Sequence, residues 1–133
     1  MDNTISLDSL PNFLGRFNSL CDSVIRRISI EYTAKRWPDT SLEIEARDEQ
    51  YHGGSGWSYL LLKLKDVQKM SFCEGRTSYR VLSDGLLILN IDGKWALCLE
   101  EMDSCQSLDD ISEADCFFVC SSVTWSTEEI ENG

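Results

Sequence analysis

The 133-residue chain predicts a mostly β fold of the β-rich α+β class. Its architecture reads as an antiparallel sheet, two-layered or sandwich-like, with a short N-terminal helix and a short acidic helical turn. Apolar residues recur with period two over Arg26–Tyr32, Ser41–Arg47 and Trp57–Lys65, the spacing of half-buried strands. Asp92-Gly93 lies between two apolar runs, the signature of a two-residue type I′ hairpin. Helical spacing is confined to Asp8–Phe17 and Ser107–Ala114. At this length, with 42% hydrophobic residues, one compact domain over residues 1–133 is expected.

In Asp8–Phe17, the side chains of Leu10, Phe13, Leu14 and Phe17 would share one helix face. Asp8 or Ser9 is the candidate cap, and Pro11 fits only the first turn. Ile28, Ile30 and Tyr32 then share one strand face, with Arg27, Ser29 and Glu31 on the other. Trp37-Pro38-Asp39 reads as a turn. Leu42, Ile44 and Ala46 alternate with Glu43, Glu45 and Arg47. After the glycine-rich loop Tyr51–Gly56, Leu60, Leu62 and Leu64 alternate with Lys63 and Lys65. Paired as a hairpin, these two strands are expected to set Glu43 and Glu45 opposite Lys63 and Lys65, with Tyr59 and Leu61 beside the charges. Val67–Cys73 is a further short strand.

The Asp92-Gly93 turn pairs Asn90 with Trp95, Leu89 with Ala96, Ile88 with Leu97, Leu87 with Cys98 and Leu86 with Leu99. Both faces of this ribbon are apolar, so it is expected mid-sheet with cover on both sides. Ser107 is expected to cap a helical turn, with Asp110 three residues on. Cys116–Trp125 reads as one last strand with Phe117, Val119, Val123 and Trp125 on one face, and residues 126–133 as a loose end.

Charge is distributed unevenly. Residues 1–94 hold 13 acids and 12 bases, whereas Trp95–Gly133 holds ten acids and no lysine or arginine, within a total of −11. Glu100, Glu101, Asp103, Asp109, Asp110, Glu113 and Asp115 form one acidic connection, and these seven residues are the candidate partner-binding site. Such a run disfavours nucleic acid and anionic membrane and favours a basic protein surface. No apolar run approaches the roughly 20 residues of a membrane span. Met1-Asp2-Asn3-Thr4 lacks the basic start and apolar block of a secretory signal, so a cytoplasmic location is expected.

The residues offer little chemistry. The single histidine, His52, sits among glycines, and Gly54-Ser55-Gly56 is not the strand-to-helix elbow that presents a nucleophilic serine. No glycine-lysine-serine sequence follows to cradle phosphate. Neither Asp39–Asp48 nor Asp103–Asp115 has the ligand order of a calcium loop. Six scattered cysteines form no C-x-x-C pair, and Cys116 and Cys120 would lie roughly 13 Å apart along a strand. They read as reduced core fillers. No catalytic residue, metal, cofactor or small-molecule ligand is expected.

Phe17-Asn-Ser-Leu20-Cys21-Asp22-Ser-Val24-Ile25, followed by Ile28 and Ile30, resembles the opening of small bacterial β-rich families, several of whose members are immunity proteins of polymorphic toxin systems. In those families a hydrophobic–His–Asp element precedes the first strand. Here Cys21 stands where histidine is usual, so the match rests on Leu20, Asp22 and Ile25. The resemblance implies a compact, mostly β protein without enzymatic activity; the first functional reading is a protein-binding module, an immunity protein that would neutralise a toxin through its acidic surface. The other readings are a small enzyme using carboxylate or thiol chemistry, which requires a concave site, and an accessory or scaffold subunit.

Overall fold

The computed structural model describes residues 3–72, 81–83, 85–100 and 106–130. It is mostly β, built as two antiparallel sheets packed face to face. The first sheet runs in the order β1 (Asn3–Thr4), β10 (Ser122–Glu129), β4 (Trp57–Lys65), β3 (Asp39–Arg47), β2 (Ser23–Glu31), β6 (Val81–Leu82). The second runs β5 (Lys69–Ser71), β9 (Phe117–Cys120), β8 (Lys94–Cys98), β7 (Leu87–Ile91). Two helices, α1 (Leu10–Arg16) and α2 (Leu108–Ser112), complete the described regular structure apart from single 3₁₀ turns. No helix among the described residues is long and apolar enough to cross a membrane.

The inner faces follow the period-two pattern. Leu42, Ile44 and Ala46 from β3 and Leu60, Leu62 and Leu64 from β4 are buried, and they meet Ile88, Trp95, Leu97, Phe118 and Cys120 from the second sheet. β3 and β4 do form the expected hairpin pair, but in a register that sets Glu43 opposite Leu61 and Glu45 opposite Tyr59. The glutamates therefore face the other neighbour: Glu45 accepts from Arg26 at 2.9 Å and Glu43 pairs with Arg27 at 3.1 Å. A β-bulge between Ile25 and Arg27 makes this possible. Strict alternation would drive one of two consecutive arginines into the core. The bulge turns both outward while Ile25 and Ile28 stay on the inner face.

The Asp92-Gly93 hairpin has the expected register from Leu87↔Cys98 to Asn90↔Trp95. Both turn residues have the positive φ that type I′ requires, 54° and 78°. Its position differs from expectation: β8 is central, but β7 is the sheet's edge among the described strands. Cover on both sides holds for β8, because its outward residues Ala96 and Cys98 join Phe117 and Val119 beneath Ile111 and Ala114 of the α2 segment.

Residues 116–125 are not one strand. The chain leaves the second sheet after Cys120 and enters the first at Ser122, with the Ser121 N–H donating to the Lys65 carbonyl at 2.9 Å. Phe117 and Val119 thus face the outer layer, whereas Val123 packs in the core between the sheets and Trp125 lies against it. The end expected to be loose from residue 126 is strand through Glu129, paired with β4 down to Ser58. At the opposite crossing Lys35 bridges Asp39 at 2.9 Å and Asp66 at 3.3 Å, tying the β2–β3 loop to the turn after β4.

Candidate functional site

The acidic connection is shaped by its own backbone bonds. α2 begins at Ser107, whose hydroxyl accepts from the Asp110 N–H at 3.2 Å, and Asp110 in return accepts from the N–H groups of Ser107 and Gln106 at 3.2 and 2.9 Å. This reciprocal capping box satisfies the open end of a helix only five residues long. The donated bond from Gln106, with smaller contributions from Ser107, holds the Asp110 carboxyl below its ordinary range. Glu100 is used in the same way: its Oε1 accepts the Asp115 N–H at 2.7 Å, closing the connection at its base.

Of the seven expected partner-binding residues, Asp110 and Glu100 are therefore occupied in building the turn. Asp109, Glu113 and Asp115 are exposed. Glu101 and Asp103 lie outside the described residues. Ile111 and Ala114 bury the other side of the segment against the second sheet, so the carboxylates sit on an anchored surface. One lysine reaches this turn: Lys69 of β5 donates to the Ser112 hydroxyl at 3.0 Å.

Among the described residues lie two clefts that the sequence does not advertise. The more polar one, about 430 Å³, lies between the end of α1 and the loop after β3, with Arg16, Arg47, Asp48, His52 and Ser55 on its walls. Its polar groups are turned to one another. Asp48, fully buried, takes two hydrogen bonds from Arg16 at 2.8 and 3.1 Å and one from the Gln50 N–H at 3.0 Å. Arg16 in turn lies over the Phe17 and Trp125 rings, 4.9 and 5.2 Å from their centroids. Ser55 is bonded to both backbone groups of Trp57. His52 is exposed and faces Glu49 at 3.8 Å. A serine triad needs nucleophile, base and acid hydrogen-bonded in series. Here the acid is held by an arginine and the hydroxyl by backbone.

A second cleft of similar size, about 440 Å³, opens on the outer face of the first sheet beside Tyr59, Leu61, Glu43 and Glu128. Tyr59 is half exposed there. The groups with displaced pKa values lie elsewhere. Arg26 is raised by the bond it donates to Glu45, Lys35 is raised and Asp39 lowered by the bond Lys35 donates to Asp39, and burial pushes the Cys120 thiol up to about 12.

No protein-family model, no curated protein and no solved structure matches the chain.

Proposed function

We propose that this chain is a non-catalytic protein-binding module that docks a basic protein surface through the α2 face, in the manner of an immunity protein masking a toxin. The observation that carries this reading is the anchored trio Asp109, Glu113 and Asp115. The three carboxylates are exposed on a turn that is capped by Ser107, closed by Glu100 and buried from behind by Ile111. A rigid acidic face loses little side-chain and loop freedom on docking, and its field accelerates encounter with a cationic cleft. The stretch from Trp95 to the end of the sequence contributes no base to dilute that field. Many toxins that cut nucleic acid present basic clefts, and a row of carboxylates imitates the phosphates such a cleft binds.

The test is affinity capture with the wild-type chain and with D109K/E113K/D115K, followed by on-rate measurement against the captured protein. The proposal expects a basic partner absent from the reversed variant, and an on-rate that falls at least about tenfold between low and roughly 0.5 M salt. A partner that binds the reversed variant equally well, or an on-rate indifferent to salt, overturns it.

A further inference from the structure

The outer face of the first sheet is built differently from the acidic α2 face. Along β4, Leu60, Leu62 and Leu64 are buried between the sheets, so Trp57, Tyr59, Leu61 and Lys63 project outward. Tyr59 is 50% exposed and Leu61 is half-buried. The registers fix what stands beside them. Tyr59 lies between Glu45 of β3 and Glu128 of β10, and Leu61 between Glu43 and Ser126. The cleft of about 440 Å³ opens over this patch, with Tyr59, Leu61, Glu43, Ser126 and Glu128 on its walls. An apolar centre inside a polar rim is the arrangement on which partner side chains anchor. The α2 segment covers the outside of the other sheet, above Ala96 and Cys98. The two surfaces therefore lie on opposite sides of the sandwich.

The carboxylates on the two flanks of this patch are used differently. On the β3 flank the chain supplies its own arginines: Arg26 donates to Glu45 at 2.9 Å, and Arg27 meets Glu43 at 3.1 Å. On the β10 flank Glu128 is exposed, and no lysine or arginine among the described residues pairs with it. The two bases outside the described residues, Arg76 and Arg80, precede β6 in the chain, and β6 lies four strands across the sheet from β10. Arg47 and Lys63 share the outer face but stand beyond the two ends of the Tyr59–Leu61 stripe, Arg47 over the Trp57 ring at 5.4 Å.

Residues directly opposed across an antiparallel pair have Cβ atoms about 4.5–5.5 Å apart. A cation bonded to Glu128 therefore also meets the Tyr59 ring. Arginine serves both contacts at once, because its planar guanidinium stacks on a ring while forking onto a carboxylate, whereas a lysine ammonium is a point charge. Leu61 follows Tyr59 by roughly 6.5–7 Å along β4, the spacing of alternate residues in any extended segment. The exposed Glu128 and a net charge of −11 favour such a cation and oppose nucleic acid or anionic lipid. We infer that this face docks a second protein through an arginine seated between Tyr59 and Glu128, with an aliphatic side chain two residues away resting on Leu61.

The experiment is an NMR titration of the full chain, labelled with nitrogen-15, in about 0.15 M salt, where charges on the far side of the sandwich are screened. The probe is a blocked pentapeptide with arginine and leucine two positions apart and glycine or serine elsewhere. It is expected to shift the amide signals of Tyr59, Leu61, Ser126 and Glu128 saturably. The same peptide with citrulline, the neutral isostere of arginine, is expected to bind at least about tenfold more weakly. Tyr59→Ala and Glu128→Gln should each weaken the arginine peptide at least about threefold. Both positions are exposed, and signals away from the patch that match the wild type assign the loss to binding. D109K/E113K/D115K is expected to bind the peptide as the wild type does, which separates this outcome from that of the α2 face. No saturable shift by about 10 mM peptide overturns the proposal. So do equal binding of the citrulline peptide, either single variant binding as wild type, or shifts confined to the α2 segment. Signals at Tyr59 and Glu128 that move with the concentration of the chain alone assign the face to a second copy and overturn it as well.

Discussion

Arg16 and Asp48, thirty-two positions apart, form a two-pronged ion pair that seals one end of the sandwich. The carboxylate is fully buried and the arginine side chain is only 23% exposed, its guanidinium over the Phe17 and Trp125 rings. The pair fastens α1 to the end of β3 beside the Phe13–Phe17–Trp125 cluster, whose centroids lie 5.0 to 5.4 Å apart. Arg16→Met keeps the stacking bulk but leaves a buried carboxylate without its cation, so a loss of about 3–5 kcal/mol is expected. Asp48→Asn retains an acceptor for Gln50 and one arginine donor, and the loss should be nearer 1–2 kcal/mol. Chemical denaturation of the two variants checks the order. An Arg16→Met chain as stable as wild type would refute the clamp.

Acid sensitivity follows from two carboxyls. Asp39 is held below its ordinary value of 3.8 chiefly by its bond from Lys35, and Asp110 by the Gln106 N–H. A depressed native pKa means that the folded chain binds fewer protons than the unfolded one. The stability from each group is therefore complete above the ordinary value and is lost as pH falls through the lower native value. Melting temperature measured downward from about pH 5 should fall in that window. Asp39→Asn and Asp110→Asn should each flatten the fall without changing behaviour above it. An unchanged slope in both variants would show that these carboxyls do not control acid stability.

The turn after α1 holds non-glycine residues in the left-handed region. Asn18, Ser19 and Leu20 have φ of 53°, 52° and 62°. The arrangement is kept by Leu20, which is fully buried, and by the Ser19 carbonyl, which accepts the Leu86 N–H at 3.1 Å. Ser19 is exposed, so Ser19→Gly relieves the backbone without losing packing, and a gain of about 0.5–1 kcal/mol is expected. Gly85 touches the same carbonyl: with φ of 88°, an added Cβ would sit 2.4 Å from the Ser19 oxygen. Gly85→Ala should destabilise by more than about 2 kcal/mol. Gly93 also has positive φ but faces open space, and Gly93→Ala should cost less, about 1 kcal/mol. Equal losses at the two glycines would contradict the close approach.

These elements differ in how legible they are in the sequence. The Leu87–Cys98 pairing is readable because a two-residue Asp-Gly turn fixes strand parity locally, and the Ser107–Asp110 box because its donors lie three residues apart. The exchange of sheets at Ser121 is not readable. It needs no proline or glycine, and Cys116–Trp125 alternates acceptably as a single strand. The Arg16–Asp48 clamp depends on the end of α1 meeting the end of β3 across the fold, which no local period encodes. Charge counting finds the acidic connection, but it cannot see that Glu100 and Asp110 spend their oxygens on their own backbone.

Thiol chemistry gives the sharpest test of the two-layer core. Cys98, Cys116 and Cys120 are buried, Cys116 and Cys120 between the sheets and Cys98 beneath the α2 segment. The Cys98 thiol donates to the Glu100 carbonyl at 3.3 Å, and burial lifts the Cys120 thiol to about 12. At pH 8 a thiol of that pKa is ionised in only about one molecule in ten thousand, and the thiolate is the reactive form. Cys21 is half-buried and more accessible. Alkylation mapped by mass spectrometry under native conditions should therefore modify Cys21 well before Cys98, Cys116 or Cys120. Modification of the latter three should rise only with denaturant, tracking global unfolding. Native labelling of Cys120 as fast as Cys21 would mean that the sheets separate at Ser121 without the chain unfolding, and the packing described for β9 and β10 would not hold.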